Sequence, residues 1–283
     1  MSDIQNFVKS REHLVMVDSD GCAMDTMDIK HSRCFGPCMV EEWGLEEWRD
    51  EILKQWNDIN LYTLTRGINR FRGLATVLGW VSEKYREIED LFALIKWVES
   101  STELSNAALE REIKIRPSVS LKKAMCWSES VNLAIRELPR DDIMPFRFVD
   151  EALRSAHKVA DVVVVSSANL GAVLDEWGRH GLLNYTNSVM AQNSGSKGWC
   201  IKSLLDMGYD PKKAIMCGDA FGDLVAAEEN GVYFYPILAR HESDSWREFI
   251  DTALPRLIDG SYGDGYAEKK KNDFVENLKK RSN

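Results

Sequence analysis

The chain has 283 residues, 44% of them hydrophobic, and a formal net charge of -9, which suits one or two soluble domains with a sizeable core. The negative balance argues against nucleic acid, whose phosphates demand a basic face, so any anion site must be built from local positive groups. Met1 to Glu12 is too polar for a signal peptide, and no run approaches the ~20 continuous apolar residues of a membrane span, so no membrane partner is expected.

The first apolar run, Leu14–Val17, reads as a buried parallel strand ending at Asp18, with Ser19, Asp20 and Gly21 behind it. From about residue 27 to 138 no strand-like run occurs. Glu41–Ile59, Arg72–Trp80, Ser82–Val98 and Ser120–Leu138 instead carry apolar residues at three- and four-residue steps, which predicts helices. Six of the nine tryptophans (43, 48, 56, 80, 97 and 127) fall in this stretch. Core packing is their usual role, although an aromatic wall over a substrate pocket has the same pattern. Pro139 and Pro145 bracket the return of the chain.

Four further apolar runs follow: Val162–Val165, Ser188–Ala191, Ala214–Cys217 and Val232–Tyr235. Between them lie the helical patterns Leu170–His180, Lys197–Met207 and Ala220–Asn230, closed by Gly181, Gly208 and Gly231. This alternation predicts a doubly wound, Rossmann-like α/β parallel sheet with an all-helical domain inserted after the first strand. The expected division is 1–26 and 146–283 for the α/β core and 27–145 for the helical insert. Beyond Tyr235, Ser243–Ile258 reads as an amphipathic helix. The Gly260–Gly265 stretch then leads to a basic tail with Lys269–Lys271 and Lys279–Arg281, expected to be a solvated face without a partner.

Chemistry concentrates in a few strand-end segments. Ligands of open α/β sheets gather at the carboxyl ends of strands, where Asp18 stands and where Gly21 allows a turn that aims Asp20 at the same space. Alone, that pair reads better as a solvated strand-end turn. An EF-hand fails, because Ala23 stands where Gly is needed and no Glu falls at the twelfth position. Asp219 ends a later strand, and Asp223 lies one helical turn further on, where the helix dipole favours an acid on structural grounds too. Four carboxylates at one sheet edge repel each other, and a divalent cation relieves this.

Ser166, Ser167 and Asn169 follow a strand directly. Their hydroxyls and backbone N–H groups could cradle an anion, and capping of the next helix is as natural a role for Ser167 and Asn169. Lys197 opens a helix, which the dipole disfavours and which hints at an anionic partner. His31, Cys34 and Cys38 lack a fourth ligand at convincing spacing for zinc. The six cysteines are scattered through a chain too long to need disulfides, so reduced thiols in a cytoplasmic protein are expected.

In this order, Asp18 with Asp20, then Ser166, then Lys197, then Asp219 with Asp223, the chain resembles the haloacid dehalogenase superfamily. The resemblance is to its phosphoglycolate phosphatase and β-phosphoglucomutase-like members with a helical C1-type cap. It covers residues 12–26 and 146–236, with the insert matching by position and helical character. Cys22 and Ala220 depart from residues common in that family.

The resemblance implies a Mg²⁺-dependent hydrolase, a phosphatase acting on a small phosphorylated metabolite. Asp18 would be the nucleophile that forms an aspartyl-phosphate, and Asp20 the acid–base. Lys197 and Ser166 would hold the phosphoryl group, with Gly21, Ser167 and Asn169 beside it. Asp18, Asp20, Asp219 and Asp223 would bind the metal. The segment Thr65 to Gly73 resembles a cap specificity loop, so Arg66 and Arg70 are candidate substrate ligands, Arg70 first. A phosphomutase on the same scaffold and a non-catalytic binding protein are the alternatives.

Overall fold

A computed structural model describes residues 7–279. Strand β1 (His13–Val17) is followed by a helical stretch: α1 (Met27–Lys30), α2 (Gly36–Trp43), α3 (Arg49–Asn57), α4 (Arg70–Lys84), α5 (Leu91–Ser100), α6 (Asn106–Ile115) and α7 (Val119–Arg136). The chain then alternates through α8 (Val149–Val159), β2 (Ala160–Val165), α9 (Leu170–Arg179), β3 (Ser188–Met190), α10 (Lys197–Leu205), β4 (Ala214–Gly218), α11 (Phe221–Glu229) and β5 (Tyr233–Pro236). It closes with α12 (Glu242–Glu248), α13 (Leu254–Asp259) and α14 (Tyr266–Lys279). Two compact units result: Met1–Met27 with Asp141–Asn283, and Asp28–Arg140.

The first unit is an α/β domain around a five-stranded parallel sheet of order β3-β2-β1-β4-β5. Its strands are apolar on both faces because helices cover both, and β2 and β4 are buried at every position. The outgoing and returning chain pair with each other: Met24 bridges Pro145 antiparallel, Asp25 N–H reaches the Met144 carbonyl at 2.8 Å, and Phe146 N–H reaches Ala23 at 3.0 Å. These bonds tie residues 144–146 to the segment that follows β1.

The C-terminal segment corrects the sequence reading. The expected helix Ser243–Ile258 is α12 and α13 joined by a π-helical turn, Phe249–Ala253, with Pro255 in the first turn of α13. Proline has no N–H to donate, so regular α-helical bonding cannot run through it. The basic tail is not a solvated appendage. Phe274 and Leu278 on α14 are fully buried in the cluster formed with Leu14, Met216, Val232 and Phe234. Lys270 is buried between Glu248 at 2.8 Å and Asp273 at 3.0 Å, and Lys271 pairs with Glu228. Lys280 and Arg281 lie outside the described residues.

The second unit is all helical. Trp56 and Trp127 are fully buried, and Trp43 and Trp97 nearly so. Trp56, Trp97 and Trp127 with Phe35 and Phe71 build an aromatic core whose neighbouring ring centroids lie 5.2–6.2 Å apart. His31 stacks on Phe35, and its Nδ1 accepts the Trp56 indole N–H at 3.0 Å, so it serves packing. The expected helix Glu41–Ile59 is broken at Gly44, which takes φ +61° to end α2 in the left-handed conformation. The break expected between Trp80 and Ser82 comes instead after Lys84, and α6 escaped the periodicity because it buries only Ala108 and Leu109. Among the described residues no helix is long and apolar enough to cross a membrane.

Candidate active site

The site begins with strand order. Strands β2, β1 and β4 are neighbours, so the residues that follow them emerge side by side at the carboxyl edge. Asp18 follows β1, Ser166 follows β2 and Asp219 follows β4. Backbone bonds extend the ladder just past the strands: Asp18 N–H reaches the Cys217 carbonyl at 3.0 Å and Ser166 N–H reaches Met190 at 2.9 Å. These three positions are therefore set by the sheet. Asp223 arrives from the first turn of α11, where its Oδ2 accepts the Ala220 N–H at 3.1 Å. Gly218 makes room for it, because a Cβ there would overlap the Asp223 side chain.

Asp18, Asp219 and Asp223 form a cluster in which one carboxylate oxygen from each lies within 4.8 Å of the others. Asp18 is 6% exposed, Asp219 1% and Asp223 0%. Lys197, at the start of α10, reaches Asp18 Oδ2 at 2.8 Å and Asp223 Oδ1 at 2.5 Å. Ser19 N–H donates to Asp18 Oδ1 at 2.8 Å.

Burial pushes the Asp18 carboxyl up to about 6, against the pull of Lys197 and with a further push from Asp223. Burial also raises Asp223, with Lys197 opposing and Asp219 reinforcing it. Burial works against the charge on Lys197, but Asp18 and Asp223 outweigh it and hold the ammonium protonated. The neighbouring thiols of Cys22 and Cys217 are raised by burial and stay neutral.

Asp18 and Asp223 thus share Lys197, with the buried Asp219 carboxylate close beside them. A like-charge pair at 4 Å costs about 4 kcal/mol at an effective dielectric near 20, so a further cation is favoured here. The donor set is all oxygen, which suits a hard divalent ion such as Mg²⁺.

The other expected residues are placed as follows. Asp20 is partly exposed beside the cluster but outside the three-carboxylate group, and its Oδ1 accepts the Thr26 hydroxyl at 2.6 Å. Gly21 takes φ +78° in that turn. Ser166 is buried, its Oγ accepting the Ala168 N–H at 3.2 Å. Ser167 and Asn169 are exposed, and Asn169 Oδ1 caps α9 through the N–H groups of Gly171 and Ala172. Thr26 was missed, because a lone threonine in a turn gives no signal until its contact with Asp20 is seen.

The two arginines both lie in the helical unit. Arg66 is 3% exposed and donates to the Leu61 carbonyl at 2.8 Å. Arg70 opens α4 instead of standing in a loop. Its guanidinium lies 5.0 Å over the Phe35 ring and donates to Ser128 Oγ at 3.1 Å and Asn132 Oδ1 at 2.9 Å.

No protein-family model and no curated protein matches the sequence. Solved structures do match. A haloacid dehalogenase-like family hydrolase from Xanthomonas campestris aligns with a TM-score of 0.51 at 10% identity, over 90% of this chain and 97% of that one. A haloacid dehalogenase-like family hydrolase from Streptococcus pneumoniae gives 0.48 at 12% identity, over 84% and 90%. A HAD phosphatase from Thermococcus onnurineus gives 0.41 at 16%, over 79% and 85%. With its parallel sheet and inserted helical unit, this chain has the fold of the haloacid dehalogenase-like hydrolases.

Proposed function

We propose that the protein is a Mg²⁺-dependent phosphohydrolase that cleaves the phosphate monoester of a small metabolite through an aspartyl-phosphate on Asp18. The observation that carries this reading is the buried group of Asp18, Asp219 and Asp223 around Lys197 at adjacent strand ends. The fold shared with a hydrolase agrees with it.

Asp18, Asp219 and Asp223, with the Asp20 carbonyl, would hold the metal, which when bound offsets the negative charge of carboxylates and phosphoryl group together. The chain's own groups supply the rest. The Asp18 carboxylate attacks phosphorus in line; its new bond to phosphorus forms as the ester oxygen leaves. Thr26 donates to Asp20 Oδ1, so the transferable proton belongs on Oδ2 and passes to the leaving alkoxide. In the second half Asp20 takes a proton from the attacking water, and inorganic phosphate departs. Ser166 Oγ accepts from Ala168, which leaves its own O–H to donate to a phosphoryl oxygen. Lys197 carries the fixed positive charge beside the nucleophile. The six free thiols suit a reducing compartment such as the cytoplasm.

The test is phosphate release from a broad panel of small phosphate esters with Mg²⁺, and again with chelator. Turnover of at least one ester, lost with chelator and in Asp18→Asn, is expected. No turnover across the panel sinks the reading.

A further inference from the structure

Two buried indoles converge on the short loop that carries Asp18, one from α9 and one from α12. Trp177 on α9 is fully buried, and its Nε1–H donates to Ser19 Oγ at 2.9 Å. Trp246 on α12 is also fully buried, and its Nε1–H donates to the Cys22 carbonyl at 2.9 Å. Ser19, between them, is fully buried; its N–H donates to Asp18 Oδ1 at 2.8 Å. Its carbonyl collects the N–H groups of Cys22, Ala23 and Met24 at 3.3, 3.0 and 2.9 Å.

We propose that Trp177 and Trp246 are positioning residues for the reaction, holding the Asp18 loop so that the carboxylate keeps a single attacking orientation. This rests on the function proposed above. A buried indole N–H needs an acceptor, and a buried serine needs a partner, so each leaves a penalty when the other is removed. An apolar pair would fill the same space without that demand, and would leave the Ser19 side chain undirected. The polar pair fixes Ser19, and Ser19 fixes one Asp18 oxygen through its N–H. Trp177 also belongs to the helix that begins shortly after Ser166, so its hydrogen bond links the two strand-end segments. Trp246 secures the far side of the turn through its backbone. In-line attack tolerates misplacement of only about 0.5 Å, so loosening such supports lowers the rate more than the affinity.

The test is steady-state hydrolysis of p-nitrophenyl phosphate, or the best ester of the panel, with saturating Mg²⁺. Trp177→Phe, Ser19→Ala and Trp246→Phe should each lower kcat about tenfold and leave KM within about twofold. Trp177→Phe combined with Ser19→Ala should be no slower than either alone, because both break one bond. Unchanged kcat, or losses that multiply in the double variant, overturns the proposal. Should a tryptophan variant not fold, Ser19→Ala decides with a second measurement, the hydrogen exchange of the Trp177 indole N–H by NMR. Exchange should be slow in the wild type and faster in Ser19→Ala; equal rates overturn the contact. If the wild type hydrolyses no ester, the functional reading falls and takes this inference with it. An active wild type with unaffected Ser19→Ala overturns this inference alone.

Discussion

Asp161 and Asp18 are both buried carboxylates at ends of the same sheet, and their surroundings are opposite. Asp161 stands near the start of β2, in register with Leu14 of β1. It accepts Ser10 N–H at 2.8 Å, Ser10 Oγ at 2.5 Å, Arg11 N–H at 2.8 Å and the Tyr209 hydroxyl at 2.5 Å. Burial raises its carboxyl, but these neutral donors outweigh it and hold it below the usual range. Asp18 has one backbone donor and a lysine shared with Asp223, and burial lifts it to about 6. Burial by itself therefore does not mark a reactive acid. A satisfied carboxylate braces the fold, while acids crowded together mark a place that favours a cation.

The sharpest way to break this comparison is to exchange the roles of the two acids. Asp18→Asn should lower phosphate-ester turnover by at least about 1000-fold, with the melting temperature of the metal-free protein equal to or above wild type. Asp161→Ala should do the reverse. It strands several donors and should cost about 3–5 kcal/mol, roughly 10 °C in melting temperature, while kcat in the cold stays near wild type. If Asp161→Ala loses activity as completely as Asp18→Asn, the distinction is wrong.

Smaller changes sharpen it. Gly218→Ala forces Asp223 away from its neighbours and should raise the Mg²⁺ concentration for half-maximal activity about tenfold or more, read by metal titration of the rate. At 100 times its dissociation constant, Mg²⁺ should stabilise the wild type by about 2.7 kcal/mol in thermal melts. Asp219→Asn should lose most of that gain and Asp161→Asn should keep it.

The smallest effect is on pH dependence in chelator. The folded Asp18 carboxyl lies near 6, above its reference of 3.8. Its stabilising contribution is thus present below about 4 and lost as pH rises through 6. Asp161 is lowered, so its contribution is present above the ordinary carboxyl range and lost on acidification. Urea unfolding from pH 4 to 7 should show Asp18→Asn gaining on wild type as pH rises. No gain would mean that the crowding is relieved in some other way.

The five strands and the acids at their ends were legible because each depends on a local pattern. An apolar run buried on both faces needs no knowledge of its neighbours, and its last residue falls at the sheet edge wherever the strand lies. The left-handed glycines at 181, 208 and 231, with φ of +70°, +94° and +68°, are local in the same way. The tail was misread because Phe274 and Leu278 sit among lysines, and only packing against β5 shows which face of α14 is buried. For Arg66 and Arg70 the chemistry was legible in the sequence, and only the fold shows their contacts with the Leu61 carbonyl and Asn132.

The sequence by itself determined the strand–helix alternation, the inserted helical stretch and the identity of the charged groups at strand ends. Tertiary structure alone decided that Lys197 sits between Asp18 and Asp223, that Thr26 holds Asp20, and that Trp177 and Trp246 brace the loop. The reason is range. Periodicity and capping act over a few residues, whereas Trp246 and Cys22 lie 224 positions apart and meet only once the strand order has brought them together.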